Sequence, residues 1–223
     1  MRGSWMQLVL VCGAVAAFAQ TPAVLHGSVQ ATVLDANELP VPEALVEALP
    51  QGVALASPVA QCRTDERGVC TIALRQAGQY ALLASKEQDG YPKPYPFYRG
   101  AGAEPLPVAE ISASHPSETV TMHLGRRAGV VLGTVKDAVT GKPLAANVEF
   151  RWVHEAANFW SGGVRADASF RFFTPADAPL TMVVSADGYE SWHYALGRGE
   201  LKDAIVLKPG EELTLEIRLW PKK

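Results

Sequence analysis

Apolar and polar residues alternate one by one over short stretches of this chain, and no stretch shows the 3.6-residue period of an amphipathic helix. Val29, Ala31 and Val33 fall on one face of an extended segment, with Ser28, Gln30 and Thr32 on the other. Cys70, Ile72 and Leu74 alternate with Val69, Thr71 and Ala73. Tyr80, Leu82 and Ala84 keep the same rhythm, as does the run from Glu118 to Leu124. Turn residues separate these runs: Asp35–Asn37, Pro50–Gly52, and Asp65–Gly68, where an Asp can bond its own backbone and Gly68 supplies a positive φ. This pattern predicts short half-buried strands throughout.

About a hundred residues later the order returns. Val131–Val135 matches the first strand, and Val148–Trp152, Phe170–Phe173, Leu180–Val184 and Leu213–Leu219 follow it. The segment Asn158–Gly163 reads as a loop. Pro209-Gly210 reads as the last hairpin, matching His115-Pro116-Ser117. Tyr91–Gly100, with three prolines, reads as a long connection packing Tyr91, Tyr95, Phe97 and Tyr98 on the first unit. A repeat at that distance points to two similar domains and not to a solenoid. The expectation is an all-β protein of two tandem seven-stranded antiparallel β-sandwiches, residues 20–125 and 129–223, joined by the short linker Gly125–Gly129.

The N-terminus changes the picture of where such a protein works. Arg2, the apolar run Leu8–Phe18 and the small-x-small triplet Ala17-Phe18-Ala19 read as a secretory signal peptide over residues 1–19. No later apolar run approaches the twenty residues of a bilayer span, so the mature chain is expected in an extracytoplasmic space, periplasmic or secreted. Removal of Cys12 with the signal leaves Cys62 and Cys70, flanking one tight turn. A disulfide across adjacent strands is one reading, stabilising by about 2 kcal/mol. Two free buried thiols are the other. The net charge of −3 and the lack of a long basic run give nucleic acid nothing to bind.

Several of these segments together resemble the carboxypeptidase regulatory-domain-like family, relatives of transthyretin-like and Cna B-type sandwiches. The family pattern runs Gly-x-Val-x-Asp, Pro-hydrophobic-Pro-Gly-Ala-x-Val, Thr-Asp-x-x-Gly, Gly-x-Tyr, Gly-Tyr. The first half carries Val33-Leu-Asp35, Pro40-Val-Pro-Glu-Ala44-Leu-Val46, Thr64-Asp65-Glu-Arg-Gly68, Gly78-Gln-Tyr80 and Gly90-Tyr91. The second carries Gly133-Thr-Val135-Lys-Asp137, Pro143-Leu144 and Gly188-Tyr189, and has Asp167-Ala-Ser169 at the turn. The resemblance implies a carbohydrate-binding-like sandwich, an accessory module and not a catalyst.

Catalytic and metal motifs are not found. His154-Glu155-Ala-Ala-Asn158 lacks the second His of a zincin and follows a strand where the motif needs a helix. Tyr95, Tyr98, His115 and His123 have no spacing that supports an iron site. Lys136 is a candidate amine for a Cna B-type cross-link, but the last strand offers no Asn. No cofactor is expected. The candidate ligand-binding residues are Trp160, Trp192, Tyr194 and Asn158, on loops expected to share one end of the second unit. Such rings cap a core, contact a protein or stack on sugar. The expected role is an exported, non-catalytic binding or interaction protein, with a polysaccharide or a cell-envelope protein as the candidate partner, and an enzyme activity is the reading the residues favour least. The alternative is a structural or adhesive envelope protein touching other proteins.

Overall fold

The computed structural model describes residues 27–52, 57–94, 105–195 and 203–223. The expected signal peptide and the rings of Tyr95, Phe97 and Tyr98 lie outside those residues, as does the side chain of Asn158. Within them the protein is all-β, with one 3-10 turn at Glu87–Asp89 and no α-helix. No helix among the described residues is long and apolar enough to cross a membrane.

The first half contributes β1 (Gly27–Leu34), β2 (Leu45–Pro50), β3 (Ala60–Arg63), β4 (Val69–Leu74), β5 (Gly78–Ser85), β6 (Val108–Ile111) and β7 (Ser117–His123). They form a sheet of order β4-β1-β7 and another of order β3-β2-β5-β6. Val29, Ala31, Val33, Ile72, Leu74 and Met122 face Val46, Ala48, Leu82 and Ile111 in one buried cluster. The alternation read from the sequence is therefore the inward register of β1, β4 and β7.

The second half repeats this with β8 (Gly129–Asp137), β9 (Asn147–Trp152), β10 (Glu155–Gly163), β11 (Ser169–Thr174), β12 (Leu180–Ser185), β13 (Trp192–His193) and β14 (Glu212–Leu219). Its sheets run β11-β8-β14 and β10-β9-β12-β13. A separate cluster centred on Val131, Val135, Phe150, Leu180, Met182 and Ile217 lies between them.

Several expectations are corrected. The sheets are not wholly antiparallel: β7 runs parallel to β1 and β14 parallel to β8. The chain leaves β6 in one sheet and enters β7 in the other beside the start of β1, where Ser28 N–H donates to Pro116 O. It must then run in the same direction as β1. For the same reason Pro209-Gly210 makes no hairpin: it turns the chain into β14, whose partner is β8. The segment Asn158–Gly163 is not a loop but part of edge strand β10, with a register irregularity between Glu155 and Phe159. Finally, the Pro-rich connection is followed by a strand the alternation did not single out, β6, which places Ala109 and Ile111 in the core.

Cys62 and Cys70 are bonded, with Cα atoms 6.0 Å apart. They do not sit on paired strands. The turn Asp65–Gly68 carries the chain from β3, the edge of one sheet, to β4, the edge of the other, so the disulfide ties the two sheets together. Gly68 takes φ +72° there, and an added Cβ would lie 2.6 Å from Val33 O. The neighbouring loop is held by Thr64, buried, whose hydroxyl donates to Val41 O (2.6 Å) and accepts from Ala44 N–H (2.9 Å). Glu43, in the same loop, adopts φ +57°.

Between the halves, Ala128 N–H donates to Gly90 O, and Ala128 O accepts from Gly210 N–H. The Arg127 guanidinium lies 6.0 Å from the centre of the Tyr91 ring, and Arg126 pairs with Asp177. The linker is bonded on both sides.

Candidate functional site

The candidate aromatics do not gather. Trp160 is 9% exposed on β10 and stacks on Phe150, ring centres 5.3 Å apart. The register irregularity in β10 leaves Phe159 outward, under the Arg151 guanidinium at 4.6 Å, and Trp160 inward. Trp192 and Tyr194 meet edge to face at 6.4 Å and pack, half-buried, against the core of the second half. They lie at the β13 edge of the sheet and Trp160 at the β10 edge. Three strand spacings, roughly 14 Å, separate the two edges.

Among the described residues the exposed indole is Trp220, which sequence reasoning passed over. It is 60% exposed immediately after β14. The signal was available: Leu215, Ile217 and Leu219 point inward, so the next residue points out. The Trp220 backbone is fixed because its carbonyl accepts from Glu190 N–H, while Lys222 N–H donates to Gly188 O. Beside it, Ala138 N–H donates to Leu219 O, which brings the turn carrying Val139, 67% exposed, to the same end. Under that turn, Asp137 Oδ1 accepts from Val139 and Thr140 N–H, both at 2.8 Å. Asp137 Oδ2 accepts from the Tyr189 hydroxyl at 2.7 Å. The Tyr189 bond, then the backbone donors, hold the Asp137 carboxyl below its usual range, and the same bond raises the phenol of Tyr189. Trp is buried in most folds, so an open indole on a fixed strand end is informative where an open Leu is not.

A second feature is a cleft of about 680 Å³ beside β5 and β7, walled by Leu82, Ala84, Pro107, Met122 and Leu124, with His123 and Arg126 at its rim. Leu82 N–H donates to Pro107 O as Leu180 N–H donates to Ile205 O. At matching places the second half has Met182 and Ile205, both buried, where the first has Ala84 and Pro107. The smaller side chains leave the slot open.

Among the described residues, the polar groups singled out from the sequence lie apart. His115 precedes β7 and His123 ends it, so eight residues of extended chain, roughly 26 Å, part them. His115 Nδ1 lies 3.2 Å from Ser114 Oγ, and His123 Nε2 lies 3.2 Å from Glu38. His154 is in a tight turn and Glu155 begins a strand, so the zincin-like run has no helix. Lys136 is paired with Glu216 at 3.5 Å. Among the described residues no group of three or more His, Cys, Asp or Glu is placed to hold a metal ion.

No family model matches the chain, and no curated relative does. Among solved structures it is similar to the Bacillus anthracis TIE protein at 14% identity, covering 88% of this chain and 34% of that one with a TM-score of 0.35. It is similar to the shaft pilin SpaA from Lactobacillus rhamnosus GG at 12% identity, covering 89% and 98% with a TM-score of 0.35. Over 43% of its length it is similar to 60% of 3-chlorocatechol 1,2-dioxygenase from Rhodococcus opacus 1CP, at 16% identity and a TM-score of 0.33. The chain thus spans about a third of the first of these proteins and less than two thirds of the last. These likenesses assign it no activity. Its own geometry defines a class: an all-β sandwich protein with a disulfide tie between sheets.

Proposed function

We propose that the chain is an exported, non-catalytic protein of two seven-stranded sandwich units in tandem, residues 20–125 and 129–223, related to the carboxypeptidase regulatory-domain-like sandwiches. Its role is structural or adhesive, through contact with other proteins of the cell envelope at the Trp220 end. Support for two units comes from the repeated sheet orders and the two separate cores. Support for export comes from the disulfide, which suits an oxidising compartment. The observation that carries the contact reading is the 60% exposure of Trp220, at the end of the fold that also carries the exposed Val139. Exposed aromatic anchors on a fixed backbone are the residues that dominate protein interfaces.

The test immobilises residues 20–223 and offers solubilised envelope proteins and, separately, insoluble polysaccharides. Capture of one defined envelope protein, weakened roughly tenfold or more by Trp220→Ala with the far-ultraviolet spectrum unchanged, is the expected result. Retention of the parent on a polysaccharide, with no protein captured, would overturn the reading.

A further inference from the structure

We infer that this chain is built to carry tension along its length, through two hydrogen-bond ladders loaded in shear. In the first half, β1 and β7 are neighbours and parallel, paired from Ser28↔Ser117 to Leu34↔His123. In the second, β8 and β14 are neighbours and parallel, paired from Glu212↔Val130 to Leu219↔Asp137. The first strand of each half is thus bonded alongside the last.

Parallel pairing decides how force passes. Pull the chain ahead of Gly27 and beyond Lys223. Force enters β1 at its N-terminal end and leaves β7 at its C-terminal end, which are opposite ends of one ladder. The strands slide past one another, and every bond of the ladder resists at once. An antiparallel first and last strand would be pulled from the same end and would peel one bond at a time. After His123 the path crosses the linker and meets the β8–β14 ladder in the same geometry. Strands β2–β6 and β9–β13 lie off this path. So does the Cys62–Cys70 bridge, which bears force only after the first ladder has slipped, and which then keeps Arg63–Val69 from extending.

The linker fits the same use. Ala128 bonds to Gly90 on one side and Gly210 on the other, and Arg126 and Arg127 contact Asp177 and Tyr91. Force passes between ladders through bonded chain with no slack loop.

This inference rests on the structural reading above, yet its test needs no partner. The full chain is held at constant force in two attachment geometries. One tethers it ahead of Gly27 and at Lys223. The other tethers it ahead of Gly27 and at Ser114, an exposed turn residue near Ser117, so that β1 is peeled from β7 at the end where Ser28 lies opposite Ser117. The expected result is a lifetime of the first ladder longer in the end-to-end geometry, by roughly fivefold for each hydrogen bond that must break together. With reductant, release of the first half lengthens by the seven residues from Arg63 to Val69, about 24 Å, and that of the second half does not change. Equal lifetimes in the two geometries would overturn the inference, as would a reductant-dependent gain that precedes release of the ladder. Either failure leaves the envelope-contact reading to stand or fall on its own binding assay.

Discussion

Glu43 occupies a backbone conformation that suits glycine, at φ +57°. It is held there from both sides. Its N–H donates to Thr64 O at 2.9 Å, its carbonyl accepts from Arg63 Nη1 at 3.1 Å, and the next residue bonds the Thr64 hydroxyl. Its side chain is exposed and joins no ion pair among the described residues. A left-handed L-residue costs about 1–2 kcal/mol. Glycine removes that cost but adds freedom to the unfolded chain, returning about 0.4–1 kcal/mol. Glu43→Gly should therefore stabilise the first half by about 0.5–1 kcal/mol, raising its midpoint by about 4 °C. Glu43→Ala keeps the left-handed cost and should fall within about 0.5 kcal/mol of the parent. The assay is thermal unfolding with two probes. Of the five tryptophans, four lie beyond residue 129 and the fifth is Trp5, so indole fluorescence reports the second half. Far-ultraviolet dichroism reports both. The gain should appear in the dichroism transition and leave the fluorescence transition in place. Had the backbone stored no strain, Glu43→Gly would behave as an ordinary glycine substitution and lower stability by about 0.5–1 kcal/mol. That result, or equal gains from Gly and Ala, would refute the reasoning.

Three further outcomes are expected. Reduction of Cys62–Cys70, or Cys62→Ala with Cys70→Ala, should cost about 2 kcal/mol in the first half by releasing a short closed loop, with the indole transition unmoved. Thr64→Val leaves Ala44 N–H without its acceptor inside the fold, and should cost about 1–3 kcal/mol in denaturant titrations of the first half. The third outcome concerns pH. Asp35, Asp65, Asp137 and Asp167 have depressed carboxyls: Asp35 and Asp65 chiefly through backbone N–H donors, Asp137 through Tyr189, and Asp167 through Ser169. Depressed values favour the folded state above the unfolded carboxyl pKa of about 3.9, and the advantage is lost as pH falls through the lower folded values. Tyr189 is raised, so its share is present below about pH 10 and is lost above it. Midpoints should thus be insensitive to these groups from pH 5 to pH 9 and fall on either side; a midpoint that stays level as pH falls from 5 to 2 would contradict this assignment.

How much of this was legible in the sequence depends on which distance carried the information. Alternation spans two residues, so it gave the inward faces of β1, β4 and β14, and the turn chemistry of Asp65–Gly68 spans four. The cysteine pair was legible for the same reason: eight positions separate its members. The candidate site was not. Trp160 was assigned to a loop because glycines follow it, whereas pairing of Ser161–Gly163 with Asn147–Glu149 makes that segment an edge strand. The alternation of Leu215, Ile217 and Leu219 places Trp220 outward, but its exposure depends on what the fold leaves uncovered at the strand end.

By itself, then, the sequence determined that the chain is made of strands, which side of most of them is buried, and where the tightest turns fall. These follow from side-chain direction and local backbone sterics, which need no knowledge of a partner. Only the tertiary structure decided which strand lies beside which. It put β3 and β4 in different sheets on either side of one turn, and so made a local disulfide into a tie between sheets. It also set β7 parallel to β1 and β14 parallel to β8. A strand's pattern states that one face must leave water, but any neighbour of the same period satisfies it. The choice among neighbours and directions is settled by closing two sheets over a single core, with the connections taking whatever path that closure leaves them.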